Sequence, residues 1–417
     1  MDTKIKKILS IMMAFTLLFG LSACGQNNNI TNSSSDTDST VSEIKKSKIT
    51  IAIEATGDIP AEFQKQIERF NEASETAEAS IITYTGAEAY ETAIMGQIAG
   101  ETAPDIILLD GGGQIKEYAQ QGVIAPLDEY LGDMTDNFEQ SLLEGFKVDG
   151  ILYGITKDYS TSVLFCQTNM LEDAGVAVPG TIDEFKEAAQ ILTAGEVAGF
   201  GCDPKINYLY PFMATMGADF IGEDGTIDKD KLNNDAHTQA LTLFKTLFEN
   251  NYATSPYLAN AGWDGELFGN QKVAMLYGGS WITGVIEDTS TAKAAPLPVE
   301  NGSYSMLYTA GWAITEQCKD KQAAAELIQF LSSDEELILG YSAGLINLPP
   351  TTTAMDKLIE EQSDDSFLPV YREVVKDGVD YGLLDSEFTD AYNKALENML
   401  YNNVSVEDTL AAIVSGQ

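Results

Sequence analysis

The chain has 417 residues, 44% of them hydrophobic, so it is long enough for two globular domains with separate cores. Its formal net charge of −40 argues against nucleic-acid binding, which needs basic surface to displace counterions. The single histidine, His237, argues against a histidine-based catalytic triad or multi-histidine metal site, and we expect it on the surface of a helix. The two arginines, Arg69 and Arg372, give little support to an anion site.

The first 23 residues predict an export signal. Three lysines within the first seven residues precede an apolar run, residues 8–19, that is too short to span a bilayer. Leu-Ser-Ala-Cys follows at residues 21–24 and resembles the lipobox of bacterial lipoproteins, which implies a diacylglyceryl group on Cys24. The alternative is an ordinary secretory signal followed by an unrelated cysteine. Residues 24–47 are almost entirely polar and predict a flexible tether.

Strand and helix patterns alternate in the first part of the folded chain. The predicted strands are 48–53, 79–84 and 105–109, and the predicted helices are 59–73, 88–99 and one that ends at Gln121. Such alternation predicts a mainly parallel sheet, in which ligands contact loops at the carboxyl ends of strands. Glu54 and Asp110 are therefore candidate ligand-binding residues. Residues 110–113 (Asp-Gly-Gly-Gly) lack the Gly-Lys-Ser/Thr of a P-loop and predict a turn that lets the backbone approach a ligand.

The segment 148–171 predicts a passage from one lobe to another. Asp149-Gly150 is a two-residue hairpin signal, and the polar break 156–160 then separates it from a buried strand over 161–167. A crossing at this break would place Asp158 and Tyr159 in a cleft between lobes, where ligand sites are common.

Further elements follow in the second half. Thr181 and Glu184 form a capping-box pattern before a helix. The other predicted elements are helices over 236–250, 321–331 and 386–400 and strands over 273–276 and 305–308. Three cysteines follow Cys24 at positions 166, 202 and 318, so Cys166 either pairs with Cys202 or remains a buried free thiol.

Six ordered segments resemble the extracellular solute-binding proteins of ABC importers, in particular the maltose-binding-like family 1 group. They are GETAPDIILLD, AQQGVIAPLDEYL, VDGILYGIT, TNMLEDAGVAVPGTIDEF, FGNQKVAMLYGGSW and AAAELIQFLSSDE. The resemblance implies an α/β, two-lobed, type II periplasmic-binding-protein-like fold, each lobe a mainly parallel sheet flanked by helices. The implied hinge crossings are near 156–160, 309–311 and 344–348. Lobe 1 would comprise 48–157 plus 311–345, and lobe 2 would comprise 158–310 plus 346–417.

The resemblance also suggests ligand contacts for a carbohydrate, whose C–H faces stack on aromatic rings and whose hydroxyls pair with polar groups. Ser280 and Trp281 are two of the candidate contacts, and Trp281 matches a position where many family members carry a stacking tryptophan. Asn207 and Tyr210 lie in a segment that resembles a sugar-contacting one. The remaining candidates are Gly311, Trp312 and Trp263. At the position of Trp312 the family often has small residues, and both sugar stacking and hinge packing stay open for this tryptophan. Trp263 is either a ligand contact or a core residue.

The family implies a binding protein without catalytic activity and without a cofactor. The expected protein is a monomer, anchored through Cys24 at the extracellular face of the bacterial cytoplasmic membrane. It would capture a carbohydrate, most simply an oligosaccharide, and deliver it to two ABC permease subunits with their ATPase. The alternatives are a binder of a cationic solute such as a polyamine, a glycoside hydrolase with paired carboxylates, and a partner of a sensor rather than a transporter.

Overall fold

The structure is a computed structural model that describes residues 45–54, 61–222, 226–298, 304–333, 335–336, 338–340 and 347–416. The predicted signal, Cys24 and nearly all of the predicted tether lie outside the described residues. So do residues 344–346 of the third predicted crossing. Within the described residues, no helix is long and apolar enough to cross a membrane.

Strands and helices alternate along most of the described chain. The strands are β1 (Ser47–Glu54), β2 (Ala77–Tyr84), β3 (Ile106–Asp110), β4 (Lys147–Val148), β5 (Ile151–Leu152), β6 (Ile155–Gln167), β7 (Ala198–Gly201), β8 (Ala253–Thr254), β9 (Val273–Gly279), β10 (Ala292–Ala295), β11 (Ser305–Ile314) and β12 (Gly378–Asp380). The helices are α1 (Ala61–Ala73), α2 (Ala87–Ala99), α3 (Gly111–Gln120), α4 (Asp128–Leu131), α5 (Gln140–Glu144), α6 (Thr168–Ala174), α7 (Ile182–Ile191), α8 (Ile206–Thr215), α9 (Lys229–Leu232), α10 (Asp235–Glu249), α11 (Pro256–Ala259), α12 (Asp264–Gly269), α13 (Lys321–Ser333), α14 (Thr352–Glu361), α15 (Leu368–Val374), α16 (Ser386–Tyr401) and α17 (Val406–Ser415). A 3-10 turn, Tyr381–Leu383, follows β12 directly.

The main sheet has the strand order β2-β1-β3-β11-β6-β9-β7-β8, with β12 paired to β11 and β10 paired to β6. In the first parallel group, β1 is parallel to β2 and β3, and in the second parallel group, β7 is parallel to β8 and β9. The two groups are joined through β6 and β11, which are antiparallel to each other; β11 is antiparallel to β3, and β6 is antiparallel to β9. We call β6 and β11 the crossing strands. This arrangement agrees with the predicted α/β class, in which mainly parallel strands are flanked by helices.

Three buried clusters support this sheet. One packs the first parallel group against α1 and α13 and includes Trp312. A second packs the second parallel group against α7, α8, α10 and α16. The third joins the crossing strands to α14 and α15. The predicted lobe boundaries at 157/158 and 310/311 lie inside the crossing strands themselves, and these boundaries stay a prediction.

The predicted polar break at 156–160 is wrong, because β6 continues through it from Ile155 to Gln167. β6 pairs with β11 before, within and after this segment, and the register shifts by one residue at a β-bulge between Ala310 and Gly311. Asp158 pairs with Ala310 and Thr156 pairs with Gly311, so Lys157 is the extra residue. A polar sequence can remain a strand here because its backbone hydrogen bonds are made on the neighbouring strand.

The glycine run after β3 is the start of α3 rather than a free loop. Gly111 has φ of +52°, a conformation that favours glycine, and α3 begins there. The predicted close backbone approach is present, but the approaching group is the chain itself: a Cβ on Gly113 would lie 2.2 Å from the carbonyl oxygen of Gly382.

Two local predictions are confirmed. Asp149 and Gly150 have φ of +52° and +77°, as a two-residue hairpin turn between β4 and β5 requires. Thr181 and Glu184 form a complete capping box at α7. The three described cysteines are buried and free, and burial raises the pKa of Cys166 to about 12.

The surface position predicted for His237 is wrong. Its side chain is fully buried and lies 2.7 Å from the carbonyl oxygen of Leu232 through Nδ1 and 2.5 Å from the hydroxyl of Tyr392 through Nε2. Both ring nitrogens therefore have partners, which makes the burial of this polar ring tolerable. Burial lowers the pKa of His237.

Candidate ligand-binding site

The crossing strands and β3 line a cavity of about 360 Å³. The polar and aromatic side chains on its wall are Asp110, Asp158, Ser160, Tyr308, Thr309, Asn347, Asp380 and Tyr381. Asp110 ends β3 in the first parallel group. The others belong to the crossing strands, to position 347 and to the segment 380–382. The cavity therefore lies where the chain passes between the two parallel groups.

The bulge in β6 brings a lysine and a carboxylate together at this point. The Nζ atom of Lys157 contacts Oδ2 of Asp158, and the two side chains are only 11% and 6% exposed. Burial lowers the pKa of Lys157 to about 7, and the charge of Asp110 opposes that shift. An ordinary strand would point adjacent side chains to opposite faces, so the extra residue of the bulge permits this pairing.

Asp110 is the exposed carboxylate of the cavity. Desolvation raises its pKa, the charges of Glu91 and Glu54 raise it further, and the charge of Lys157 lowers it. Glu54 ends β1 as Asp110 ends β3, and the two predicted residues thus share one edge of the first parallel group. This edge carries an excess of negative charge.

Three aromatic residues, Trp281, Tyr308 and Tyr381, contact one another in series beside the carboxylates, and we call them the aromatic wall. The Trp281 and Tyr308 rings are 5.0 Å apart at 72°, and the Tyr308 and Tyr381 rings are 5.6 Å apart at 45°. Nδ2 of Asn207 donates a hydrogen bond of 2.9 Å to the Tyr308 hydroxyl. Trp281 is half-buried and is not itself among the described lining of the cavity, and it is connected with the cavity through its contact with Tyr308, which lines it together with Tyr381.

The small residues before Trp281 have a packing role. The Trp281 ring folds back over Gly279, where a Cβ would lie 2.2 Å from Cζ3 of the indole. Ser280 is buried and opens the 3-10 turn Ser280–Val285. The Gly-Ser-Trp sequence therefore fixes the direction of the indole, while Ser280 itself is not among the described lining of the cavity.

Tyr159 and Trp312 do not belong to the described lining of this cavity. Tyr159 is 2% exposed and packs in the third cluster, while its backbone exchanges hydrogen bonds of 3.2 and 2.8 Å with Leu348. Trp312 is also 2% exposed and stacks on Phe63, with ring centroids 5.7 Å apart. Tyr159 follows Asp158 directly, and strand alternation turns its side chain to the opposite face.

Tyr210 and Gly311 also have contacts within the protein: Tyr210 has a hydrogen-bond partner, and Gly311 packs against an aromatic ring. The Tyr210 hydroxyl donates a hydrogen bond of 2.6 Å to Oδ1 of Asp219 and lines a separate cavity. Gly311 lies beneath Phe146, and a Cβ there would lie 2.2 Å from Cε1 of that ring. These contacts explain the residue types without a ligand.

Sequence reasoning missed six polar or aromatic residues of the lining, namely Ser160, Tyr308, Thr309, Asn347, Asp380 and Tyr381. Tyr308 lies in a predicted strand, and strand alternation from Ala310 could have flagged it. Tyr381 lies more than thirty residues beyond the third predicted crossing, and no local pattern connects it with Trp281. Only the pairing of β12 with β11 brings it to the cavity.

Two parallel groups joined by antiparallel crossing strands, with a cavity at the junction, define a two-lobed binding-protein fold. A family profile described as bacterial extracellular solute-binding protein matches residues 65–367. The chain belongs to this family. The family and the fold are those of substrate-binding proteins rather than enzymes.

Relatives of this chain are diverged. A Brucella abortus protein named only as a binding protein is 26% identical over 250 residues, which cover 56% of this chain and 59% of that protein. The galactooligosaccharide-binding protein of Bacillus subtilis is 22% identical over 245 residues, 56% of this chain and 57% of its own length. An ABC substrate-binding protein of Listeria monocytogenes, solved in complex with cycloalternan, aligns with a TM-score of 0.71 at 22% identity. That alignment covers 89% of this chain and 97% of the Listeria chain. The chain thus spans about three-fifths of the length of the curated relatives.

Proposed function

We propose that this protein captures a carbohydrate, most simply an oligosaccharide, in the cavity at the crossing strands and delivers it to an ABC transporter. The observation that carries the proposal is that Tyr308 and Tyr381 line one cavity with the carboxylates of Asp110 and Asp158, while Trp281 packs edge-on against Tyr308. Aromatic faces offer stacking to the C–H patches of sugar rings. Carboxylates accept hydrogen bonds from sugar hydroxyls.

Each polar group has a separate part in this proposal. Asp110 and Asp158 accept from ligand hydroxyls, and Lys157, when protonated, places a positive charge beside Asp158. Ser160 and Asn347 supply neutral hydrogen-bonding groups. Rotation of the two parallel groups about the crossing strands closes the site over the ligand, and the closed form docks on the permease subunits.

The relatives support a carbohydrate as the ligand class. One is named for galactooligosaccharides, and the Listeria structure holds cycloalternan. Another, from Halalkalibacterium halodurans, is named for arabinooligosaccharides and is 21% identical over 307 residues.

A cationic solute is the second candidate, and the charge at Asp110 favours it. Glu54 and Glu91 both act on Asp110, and Lys157, whose pKa is about 7, is the cation that acts on it. An organic cation would neutralise this edge and stack on the aromatic wall.

A thermal-shift screen separates the two candidates, because a ligand stabilises the folded protein by RT ln(1 + [L]/Kd). The panel is maltotetraose, a galacto-oligosaccharide, an arabino-oligosaccharide and spermidine. We expect a saccharide to raise the Tm and to be recovered unchanged after long incubation. A shift with spermidine alone would replace the carbohydrate by the cation, and cleavage of the saccharide would contradict a pure binding role.

We further propose that Cys24 anchors the protein at the outer face of the cytoplasmic membrane through its lipid. In cell fractionation, the unaltered protein is expected with the membrane and Cys24→Ser in the soluble fraction. A Cys24→Ser protein that stays with the membrane would refute the anchor.

A further inference from the structure

Asp380, the last residue of β12, is a buried carboxylate that directly precedes Tyr381 of the aromatic wall. It is 3% exposed. Burial raises its pKa, while hydrogen bonds from Thr309, Gly112 and Gly382 lower it. A buried carboxylate is costly unless its oxygens are hydrogen-bonded, so its partners indicate what the residue does.

Those partners come from three separate parts of the chain. Oδ2 of Asp380 accepts a hydrogen bond of 2.5 Å from the Thr309 hydroxyl on β11. Oδ1 accepts from the backbone N–H of Gly112, at 3.1 Å, in the first turn of α3. Oδ1 also accepts from the N–H of Gly382, at 2.8 Å, which fixes the turn that contains Tyr381.

Backbone from several segments approaches this carboxylate closely, although the residue also lines two cavities. A Cβ on Gly111 or Gly382 would lie 2.8 or 2.9 Å from Oδ1 of Asp380, and a Cβ on Gly145 would lie 2.7 Å from Oδ2. Three glycines from three segments therefore converge on one side chain. In the glycine run after β3, Gly111 faces this carboxylate, and Gly113 faces the carbonyl oxygen of Gly382.

We propose that Asp380 is a positioning residue that holds Tyr381 in the aromatic wall by tying the segment Gly378–Leu383 to α3 and β11. Asp380 also lines the cavity, but its two oxygens already accept from Thr309, Gly112 and Gly382. It therefore acts through Tyr381, whose ring contacts Tyr308. The same carboxylate binds the first turn of α3, directly after Asp110, so one residue sets the spacing between the aromatic wall and the carboxylate edge. The effect on ligand affinity rests on the proposed function, whereas the effect on Tyr381 does not.

The matched variants are Asp380→Asn and Asp380→Ala. An asparagine keeps the bonds, because its Oδ1 accepts from Gly112 and Gly382 while its Nδ2 donates to the Thr309 oxygen. An alanine loses all three bonds. Thr309→Val removes the donor to Oδ2 alone and serves as the second variant if Asp380→Ala does not fold.

The first readout needs no ligand. With fluorotyrosine incorporated, the ¹⁹F resonance of Tyr381 is assigned by its disappearance in Tyr381→Phe. We expect the resonance to keep its position in Asp380→Asn and to move towards the solvent-exposed value in Asp380→Ala, or in Thr309→Val if the alanine variant is unfolded. An unmoved resonance in the variant that loses the bonds, or an equal displacement in Asp380→Asn, would overturn the proposal.

The second readout is affinity for maltotetraose in a double-mutant cycle. We expect about a tenfold loss in Asp380→Ala and in Tyr381→Ala, and about the same loss in the double variant, because both changes remove one contact. Additive losses would show that Asp380 acts independently of Tyr381 and would overturn the proposal. A Tyr381 resonance that follows Asp380 in a protein that binds no saccharide would support the positioning role and count against the proposed function.

Discussion

Trp281 and Trp312 occupy two regions that look alike in sequence and differ in structure. Each follows a glycine-containing run, and each contacts another aromatic ring. Trp312 is 2% exposed and stacked on Phe63 in the core of the first parallel group. Trp281 is half-buried and edge-on to Tyr308, which lines the cavity. The residue type is therefore shared, and the surroundings separate a stability role from a binding role.

The largest effect is expected for Trp312→Ala. Removing a buried indole leaves a cavity and costs about 3–5 kcal/mol of the free energy of unfolding. Chemical denaturation should show this loss, and the control Trp312→Phe should lose less because it keeps a ring against Phe63. Ligand affinity of the folded Trp312→Phe protein should match that of the unaltered protein, and a weakened affinity would move Trp312 into the binding site.

Trp281→Ala should show the reverse pattern. Loss of a stacking ring weakens saccharide affinity by about tenfold to a hundredfold. The free energy of unfolding should change by less than in Trp312→Ala, because the Trp281 indole is only partly buried against the third cluster. Calorimetric titration measures the affinity and denaturation measures the stability. A large loss of stability with unaltered affinity would erase the difference between the two tryptophans.

Lys157 gives a pH-dependent effect of intermediate size. Burial lowers the pKa of Lys157 from 10.5 to about 7, so between these values the unfolded chain binds more protons than the folded one. The contribution of this group to stability therefore rises with pH across that window and is lost as the pH falls through about 7. Denaturation of Lys157→Met between pH 7 and 10 should lack this part of the slope. An identical slope in both proteins would mean that Lys157 keeps its ordinary pKa.

Trp263 should give the smallest effect and serves as a control for both regions. Its side chain is exposed and lies over Gly265, and it is not part of the described lining of the cavity. Trp263→Phe should change the free energy of unfolding by less than about 0.5 kcal/mol and leave saccharide affinity unaltered. A measurable loss of affinity would extend the site towards α12.

The parts of the fold that sequence predicted best are those that local chemistry determines. The hairpin at Asp149-Gly150 and the capping box at Thr181 depend on a few adjacent residues, and both are confirmed. The polar segment 156–160 looked like a break because its hydrogen-bond partners are about 150 residues away on β11. His237 looked like a surface residue because its partner Tyr392 comes from α16.

In the candidate site, too, local patterns predicted some residues, whereas residues that depend on distant strand pairing were missed. Asp110, Asp158 and Trp281 were predicted from strand ends, a crossing and a resemblance, and they lie in or beside one cavity. Tyr159 was predicted with Asp158, but adjacent residues of a strand point to opposite faces, and the Tyr159 side chain packs in the third buried cluster. Tyr381 and Asp380 could not be predicted, because β12 reaches the site only through its pairing with β11.

The central claim is that the cavity at the crossing strands binds a carbohydrate through its aromatic wall. Isothermal titration of maltotetraose, the galacto-oligosaccharide and the arabino-oligosaccharide into the unaltered protein and into Trp281→Ala tests it most directly. We predict saturable binding of at least one saccharide at one site per chain, weakened at least about tenfold in Trp281→Ala. Equal affinity in the two proteins, or binding of spermidine with no binding of any saccharide, would contradict the claim.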